Sequence, residues 1–358
     1  MNRIKSRVRF TEKCLHRGMQ FAVLAGIAAA LAAPLDSRAQ EKVVNLYSAR
    51  HYQTDEALYA DFTRQTGIKI NRIEAGDEPL VQRLKAEGAN SPADVLLLVD
   101  AARLWRAQSD GLFQPVESKV LNDHIPAQLR SSDNTWFGFS TRARAIVYNK
   151  ASVKPEDVDT YEELADPKNK GKVCTRSGSH PYMLSLIGSR VDTMGEAGAE
   201  QWAKGIVTNM ARPPSGGDTD QIKAVAAGEC GAALTNTYYW VRLLRSTDPK
   251  DQDVVSKVGF VWPNQAGSGA HVNISGGGVA KNSPNRAHAI AFLEYLSSAS
   301  AQNYFANGNN EFPVAKGATL NNPSLSSLGN FKQEQVPISN IAKNTVVAQR
   351  ILDRVGYK

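Results

Sequence analysis

The chain lacks the short motifs that mark several common classes of enzyme. It has no Gly-x-Ser-x-Gly nucleophile elbow, no His-Glu-x-x-His zinc motif, and no glycine-rich loop followed by Lys-Ser or Lys-Thr. It also lacks any apolar run of the roughly 20 residues that a membrane-spanning helix needs. These absences give no support to a serine hydrolase, a zinc protease, a P-loop protein or a membrane-spanning product.

Cysteine is scarce. Of the three cysteines, Cys14 lies near the N-terminus, and only Cys174 and Cys230 occur later. An exported protein can form disulfides, but the sequence does not show whether these two residues are close together. A disulfide and a pair of buried free thiols therefore both stay open.

The N-terminus has the layout of a cleaved secretory signal. Basic residues precede an apolar stretch, Phe21–Leu35, and small residues occupy the −3 and −1 positions of a cut after Ala39. A transmembrane anchor is the alternative, but about 15 apolar residues are too few to span a membrane comfortably. Cys14 precedes the apolar stretch, which argues against a lipoprotein anchor. We therefore expect residues 1–39 to be removed and residues 40–358 to be exported.

Most of the net positive charge lies in this leader. Residues 1–39 hold seven Lys and Arg against two Asp and Glu, so +5 of the total charge of +7 lies there and +2 remains for residues 40–358. The net positive charge of the full sequence is therefore mainly a property of residues 1–39. It does not indicate a nucleic-acid partner for the exported part.

The exported part alternates short β-rich runs with helical patterns, which predicts an α/β fold with helix-covered sheets. The predicted strands are 43–48, 68–74, 93–99, 136–140, 144–149, 172–175, 231–234, 258–262 and 273–280. Segments 136–140 and 144–149 are predicted to be two strands joined by a short connection. The predicted helices are 54–65, 78–87, 218–227, 284–297 and 344–355, and the helix at 218 is predicted to begin with a capping box formed by Asp218 and Gln221.

The length of the exported part, 319 residues, is enough for two lobes. We predict an N-lobe of residues 40–140 with about 268–315, and a C-lobe of residues 141–267 with about 316–358. Ligands of such sheets bind near the carboxyl ends of strands, and hinge closure buries them. The run Gly276–Gly278 is predicted to be a close backbone approach at the hinge.

Tyrosine and histidine donors follow three predicted strands. His51-Tyr52 follows the first strand, Tyr182 follows the strand that contains Cys174, and Tyr238-Tyr239 follow the strand at 231–234. Phenolate is a hard anionic donor suited to a hard trivalent cation. Since free tyrosine has a pKa of about 10, a metal must displace the phenolic protons, which predicts proton release on binding. Most isolated tyrosines, however, are core or interface residues.

Four stretches of the exported part carry a specific likeness to known proteins. They are Tyr47-Ser-Ala-Arg-His-Tyr52, Ala86-Glu-Gly-Ala-Asn-Ser-Pro-Ala-Asp94, Thr141-Arg-Ala-Arg-Ala-Ile-Val-Tyr148 and Thr235-Asn-Thr-Tyr-Tyr-Trp240. They resemble, in the same order, the periplasmic ferric-binding proteins of bacterial iron-uptake ABC transporters, most closely the cyanobacterial-type branch. The resemblance implies a two-lobed periplasmic binding protein fold with two hinge-linked mixed sheets and a ligand cleft between them. It further implies a monomeric, non-enzymatic protein that delivers iron to an inner-membrane ABC permease.

The resemblance also implies a ligand set for iron. Its members are one histidine and four tyrosines, which fall by motif on His51, Tyr52, Tyr182, Tyr238 and Tyr239. Other branches place a glutamate after the Ala-Asp-Val strand, where this chain has Leu98-Val99-Asp100. That departure favours the five-ligand set, and a contribution from Asp100 is the alternative. Fe3+ is the expected cargo, with Fe2+ held more weakly.

Two arginines and one asparagine are candidates for the surroundings of the metal. Four phenolates around Fe3+ carry a net charge of −1, which a guanidinium would offset. Arg144 is the favoured candidate, and Arg142 lies on the same predicted strand. Either arginine is also suited to a synergistic anion such as carbonate, and Asn236 to binding that anion or orienting a tyrosine. Ordinary ion pairing is the alternative role for both arginines.

Two other functions compete with iron binding. An organic-solute receptor, for polyamines or phosphonates, would use the same two-lobed scaffold without metal dependence. An exported α/β hydrolase would require a Ser or Cys nucleophile paired with a histidine such as His51.

Overall fold

Strands and helices alternate along residues 41–50 and 55–358, the part of the chain that the computed structural model describes. The strands are β1 (Val43–Ser48), β2 (Lys69–Glu74), β3 (Val95–Val99), β4 (Phe137–Asn149), β5 (Val173–Cys174), β6 (Ala232–Asn236), β7 (Val258–Val261), β8 (Val272–Val279) and β9 (Phe312–Pro313). The helices of the first half are α1 (Asp55–Thr66), α2 (Asp77–Glu87), α3 (Ala101–Ser109), α4 (Lys119–His124) and α5 (Tyr161–Leu164). Those of the second half are α6 (Pro181–Asn209), α7 (Asp218–Ala226), α8 (Thr237–Arg245), α9 (Pro249–Lys257), α10 (Arg286–Leu296), α11 (Ala299–Asn309), α12 (Pro323–Ser326), α13 (Ile338–Lys343) and α14 (Thr345–Val355).

Helix ends follow local chemistry. Helix α1 stops at Gly67, which has a φ of 69° and donates its N–H to the carbonyl of Thr63 at 2.8 Å. Glycine adopts this left-handed conformation without steric cost, as predicted for the end of this helix. Helix α6 is a 29-residue helical segment interrupted at Gly195, where φ is 75°.

Two groups of strands meet on β4. The first group has the order β2-β1-β3-β8-β4, with β9 also paired to β4. The second has the order β4-β6-β5, with β7 also paired to β4. Strand β1 is parallel to β2 and β3, whereas β8 is antiparallel to β3 and β4. The strands therefore pair in both parallel and antiparallel fashion. The predicted α/β class is confirmed.

The prediction of two separate strands at 136–140 and 144–149 is wrong. Strand β4 runs without a break for 13 residues. Its first part pairs with β8 as far as Ala143, and its second part pairs with β6 from Arg144 onward. Thr141 and Arg142, which lie between the two predicted strands, are polar in sequence but pair with β8 and are buried. The lobe boundaries given above remain a prediction.

The glycines of β8 allow its backbone to lie very close to β3 and to the chain just before β4. A Cβ on Gly277 would lie 2.4 Å from the carbonyl oxygen of Leu96, and one on Gly278 would lie 2.1 Å from that of Thr135. Neither distance is possible for a real side chain, so the predicted close approach at this run is confirmed.

Separate apolar cores support the two groups of strands. The first core includes Phe62, Leu96, Phe292 and Ile341, and the second includes Ile146, Trp202 and Ile351. A disulfide joins Cys174 at the end of β5 to Cys230, with Cα atoms 5.8 Å apart. This settles the open choice between a disulfide and free thiols. No helix within the described residues is long and apolar enough to cross a membrane.

Candidate metal centre

Tyr182 is the second residue of α6. Pro181 opens the helix, a position where its missing N–H costs nothing. The side chain of His180 accepts a hydrogen bond from the N–H of Tyr182 at 3.2 Å, which caps the helix. Burial first, and then the charges of Arg176 and other nearby arginines, lower the pKa of His180 to about 3. The imidazole is therefore neutral near pH 7 and stays a hydrogen-bond acceptor.

Tyr238 and Tyr239 lie in the first turn of α8, which follows β6 directly. The hydroxyl of Thr237 accepts a hydrogen bond from the N–H of Ala143 at 3.3 Å. This bond fixes the start of α8 against the point where β4 changes partners. Tyr238 is buried, whereas Tyr239 is partly exposed. Their ring centroids are 4.2 Å apart, so the two rings lie side by side at this strand-to-helix turn.

The beginnings of α6 and α8 bring two of these tyrosines into contact. The hydroxyl oxygens of Tyr182 and Tyr238 are 2.9 Å apart. A helix N-terminus carries partial positive charge from its unpaired N–H groups and favours negative groups beside it. The two phenolic oxygens lie within hydrogen-bonding distance of each other, on residues in the first turns of two helices. Tyr182, Tyr238 and Tyr239 form one tyrosine cluster.

The predicted ligands His51 and Tyr52 lie outside the described residues. Arg50 follows the end of β1, and Asp55 opens α1; both side chains are buried. Within the described residues there is no group of three or more His, Cys, Asp and Glu side chains arranged to hold a metal.

Three arginines surround the ring of Tyr182. The guanidinium carbons of Arg142, Arg144 and Arg176 lie 5.7, 5.9 and 4.9 Å from its centroid. Cations at this distance interact favourably with an aromatic ring. Arg176 was not predicted, and its only sequence signal is its position just after β5. Three guanidinium groups therefore lie beside the tyrosine cluster.

Asp218 holds two of these arginines in place. It accepts hydrogen bonds from Arg144 at 2.5 Å and from Arg176 at 3.2 Å, and it is fully buried. Arg144 also donates to the side-chain oxygen of Asn236 at 3.2 Å. The N–H of Asn236 in turn donates to Asp218 at 2.7 Å. The side chain of Arg144 is thus bound to both Asp218 and the side chain of Asn236, whose backbone is bound to Asp218 as well.

The predicted capping box at the start of α7 is wrong in its residues. Asp220 accepts the N–H of Gly217 at 2.7 Å, so the box is shifted by one position. Because Asp218 is the first residue of the helix and not its cap, its carboxylate is free to pair with the arginines.

Arg142 differs from the other two arginines because most of its donors are unused. Its Nη1 donates to Ser275 at 2.8 Å, but its buried Nε and Nη2 have no hydrogen-bond partner within the described part of the chain. Burial opposes the charged form, yet nearby Tyr182, Glu311 and Asp100 outweigh it and raise the pKa of Arg142. A buried, permanently charged donor thus lies against the tyrosine cluster.

Asp100 is occupied by other contacts. Its carboxylate accepts the N–H of Ala102 at 2.9 Å, the hydroxyl of Ser185 at 2.6 Å and the side-chain amide of Asn273 at 2.8 Å. Its backbone has a φ of 105°, a strained value for a residue other than glycine. It caps α3 and connects that helix to α6 and β8.

Comparison with known proteins agrees with this architecture. A family model described as bacterial extracellular solute-binding protein matches residues 57–333. Iron uptake protein A1 of Synechocystis sp. is 51% identical over 323 residues, which cover 90% of this chain and 89% of that protein. A Trichodesmium protein solved in complex with iron and citrate ligands is 54% identical, with a TM-score of 0.85 over 88% of this chain and 100% of that one. The ferric binding protein from Campylobacter jejuni is 40% identical, with a TM-score of 0.83 over 88% of this chain and 100% of that one.

These structures have the two-lobed fold of periplasmic ferric-binding proteins, and the described part of this chain has the same fold. The relatives are iron-binding and transport proteins and not enzymes. The chain therefore belongs to the bacterial extracellular solute-binding protein family.

Proposed function

We propose that this protein captures ferric iron in the periplasm and delivers it to an inner-membrane ABC permease. The observation that carries the proposal is the contact between the hydroxyls of Tyr182 and Tyr238, 2.9 Å apart at the starts of two helices. Hard, anionic oxygen donors suit a hard trivalent ion. Relatives described as an iron uptake protein and as a ferric binding protein support the same cargo.

The proposed ligands are the tyrosine cluster together with His51 and Tyr52. Tyr182, Tyr238 and Tyr239 lie in helices that follow β5 and β6, which belong to the second group of strands. His51 and Tyr52 follow β1 in sequence, which belongs to the first group. Iron bound by donors from both lobes would favour the closed arrangement, because a ligand shifts a conformational balance only through its different affinity for the two states. Fe3+ is the proposed cargo, and Fe2+ would bind more weakly.

Arginine would supply the charge that offsets the phenolates. Arg144 is committed to Asp218 and Asn236, whereas Arg142 keeps two donor nitrogens without a partner among the described residues. We therefore assign the direct electrostatic role to Arg142 and the support of the site to Arg144 and Asn236. The unused donors of Arg142 are also suited to a synergistic anion such as carbonate.

Export, partner and oligomeric state complete the proposal. Residues 1–39 would be a signal removed after Ala39; residues 1–40 lie outside the described part of the chain. A relative from Serratia marcescens, 28% identical, is described as a periplasmic Fe(3+)-binding protein. The protein would act as a monomer with an ABC permease as its partner and without binding nucleic acid.

A metal titration tests the assignment. Purified residues 40–358, titrated with ferric citrate, should develop the broad visible absorption of tyrosinate bound to iron. Tyr238→Phe and Tyr239→Phe should each reduce that absorption, whereas Tyr148→Phe, a change on β4 in the part that pairs with β6 and β7, should not. Unchanged absorption in both cluster variants would refute the ligand assignment. Binding of an organic solute from a test panel by the metal-stripped protein would favour the organic-solute receptor instead.

A further inference from the structure

Asp218 is a fully buried carboxylate that forms hydrogen bonds with three separate segments of the chain. Its Oδ2 accepts hydrogen bonds from Nη1 of Arg144 on β4 at 2.5 Å and from the backbone N–H of Asn236, the last residue of β6, at 2.7 Å. Its Oδ1 accepts a hydrogen bond from Nη1 of Arg176, which follows β5, at 3.2 Å. One side chain at the start of α7 therefore holds together β4 and the two connections that leave β5 and β6.

Those two connections lead to the contacting tyrosines. Arg176 lies between β5 and α6, the helix whose second residue is Tyr182. Asn236 is followed directly by α8, the helix whose second residue is Tyr238. The hydroxyl oxygens of the two tyrosines are 2.9 Å apart. Asp218 and the tyrosine hydroxyls therefore link the same pair of strand-to-helix connections.

The charge of Asp218 also holds two guanidiniums beside Tyr182. The side chains of Arg144 and Arg176 are 1% and 14% exposed, and no other carboxylate among the described residues forms an ion pair with either of them. Their guanidinium carbons lie 5.9 and 4.9 Å from the ring centroid of Tyr182. Nη2 of Arg144 also contacts the sulfur of Met183, the next residue of α6, at 3.7 Å. Because a buried charge depends on its partner, loss of this carboxylate would leave two like charges beside the ring without their counter-ion.

We propose that Asp218 is a positioning residue of the metal centre, which sets the separation of the Tyr182 and Tyr238 phenolic oxygens and the placement of two arginines beside them. The inference rests on the proposed iron-binding function. It adds to that function a residue that acts through its arginine partners and through the backbone that leads into α8.

Asp218→Asn should weaken iron binding although every proposed ligand remains. The change removes the negative charge and introduces an amide N–H group among partners that are themselves donors. Residues that orient the ligands of a metal typically contribute about 10- to 100-fold to its affinity. The affinity for Fe3+, measured by competition with citrate, should therefore fall by about 10-fold or more. The maximum of the visible tyrosinate-to-iron absorption should also shift, a change that a loss of stability alone does not produce.

Asp94→Asn is the matched control. Asp94 is also fully buried, and its carboxylate likewise joins separate segments, through the N–H of Asn45 at 2.8 Å and the N–H of Asn285 at 2.7 Å. These contacts belong to β1 and to the residue before α10, whereas the tyrosine cluster belongs to α6 and α8. The control variant should therefore keep the iron affinity and the spectrum of the unchanged protein even if its stability falls.

A combined variant tests the inference if Asp218→Asn folds poorly. Asp218→Asn together with Arg144→Gln removes both members of the buried ion pair, so no unpaired charge remains at position 144. The combined variant should bind iron more weakly than Arg144→Gln alone, in which Asp218 keeps its bonds to Arg176 and Asn236. Equal iron affinity of these two variants would overturn the inference.

The separation of the tyrosines can also be measured without iron. In crystal structures of the metal-free variants, the hydroxyl oxygens of Tyr182 and Tyr238 should lie farther apart than 2.9 Å in Asp218→Asn and keep this distance in Asp94→Asn. Unchanged iron affinity and spectrum in Asp218→Asn would overturn the inference, and so would an equal loss in the control. If the unchanged protein develops no absorption with ferric citrate, the proposed function fails, and the distance between the hydroxyls still tests the role of Asp218.

Discussion

Cys174 is bonded to Cys230 across an interval of 56 residues, the same interval that separates the contacting hydroxyls of Tyr182 and Tyr238. The disulfide therefore precedes both members of the tyrosine pair by an equal length of chain. One cross-link ties together the strand β5, which leads to α6, and the turn into β6, which leads to α8. The covalent bond and the tyrosine contact thus both link the β5–α6 part of the chain to the β6–α8 part.

Removal of this disulfide should lower the free energy of unfolding by about 4 kcal/mol. The value follows from the entropy that a cross-link of this length removes from the unfolded chain. Denaturant unfolding of the metal-free Cys174→Ala/Cys230→Ala variant measures it. A reducing agent should destabilise the unchanged protein to a similar extent and leave the double variant unaffected. Equal stability of the oxidised protein and the variant would contradict the prediction.

Substitutions of Arg142 and Arg144 should differ in their effects on iron affinity and on the free energy of unfolding. Arg144 forms a direct, buried ion pair with Asp218, so Arg144→Gln should lower the free energy of unfolding by about 3 kcal/mol. Arg142 donates only to a serine among the described residues, so Arg142→Gln should affect stability less. Its larger effect should be on iron affinity. Denaturant unfolding of both metal-free variants, followed by ferric titration, measures the two effects. A larger loss of stability in Arg142→Gln together with a larger loss of iron affinity in Arg144→Gln would refute the prediction.

Gly277→Ala should destabilise the protein by about 2 kcal/mol or more. The added Cβ would lie 2.4 Å from the carbonyl oxygen of Leu96, and a backbone atom between paired strands cannot move aside cheaply. Gly267→Ala is the matched control, because the nearest atom to its Cβ would be 3.8 Å away. Thermal unfolding of the two variants should show a clear loss for the first and little change for the second.

Asp61 should contribute to stability in a pH-dependent way. The hydrogen bond from Ser300, with others from Tyr295 and Gln65, outweighs desolvation and lowers its pKa to about 2. Since an unfolded aspartate titrates near 3.9, the folded state favours the charged form. The stabilisation is therefore complete above about pH 4 and is lost as the pH falls toward about 2. Asp61→Asn should flatten the decline of unfolding free energy across this range; an unaltered pH profile would contradict the assignment.

Much of the first half of the fold could be predicted because its signals are local. The apolar run of β3 and the glycine stop at Gly67 are readable from a few residues. The continuity of β4 was not readable, because Thr141 and Arg142 are polar in sequence. Their burial depends on β8, more than a hundred residues later in the chain.

The same distinction applies to the candidate site. Tyr238 and Tyr239 could be placed at a strand-to-helix turn from their immediate neighbours. The contacts of Asp218 and Arg176 depend on ion pairs and hydrogen bonds between distant segments, for which the sequence has no local pattern. Asp218 was even predicted to cap a helix, since aspartate at such a position commonly does so.

Strand β4 has one further consequence, for dissection of the molecule. Because residues 137–149 supply a strand to both groups, no single cut in this region gives each fragment its full set of strand partners. A cut on either side of the strand leaves one group without it, and a cut inside it separates Arg142 from Arg144. Exchange of a lobe between relatives should therefore retain this strand as one intact piece and place the junctions elsewhere.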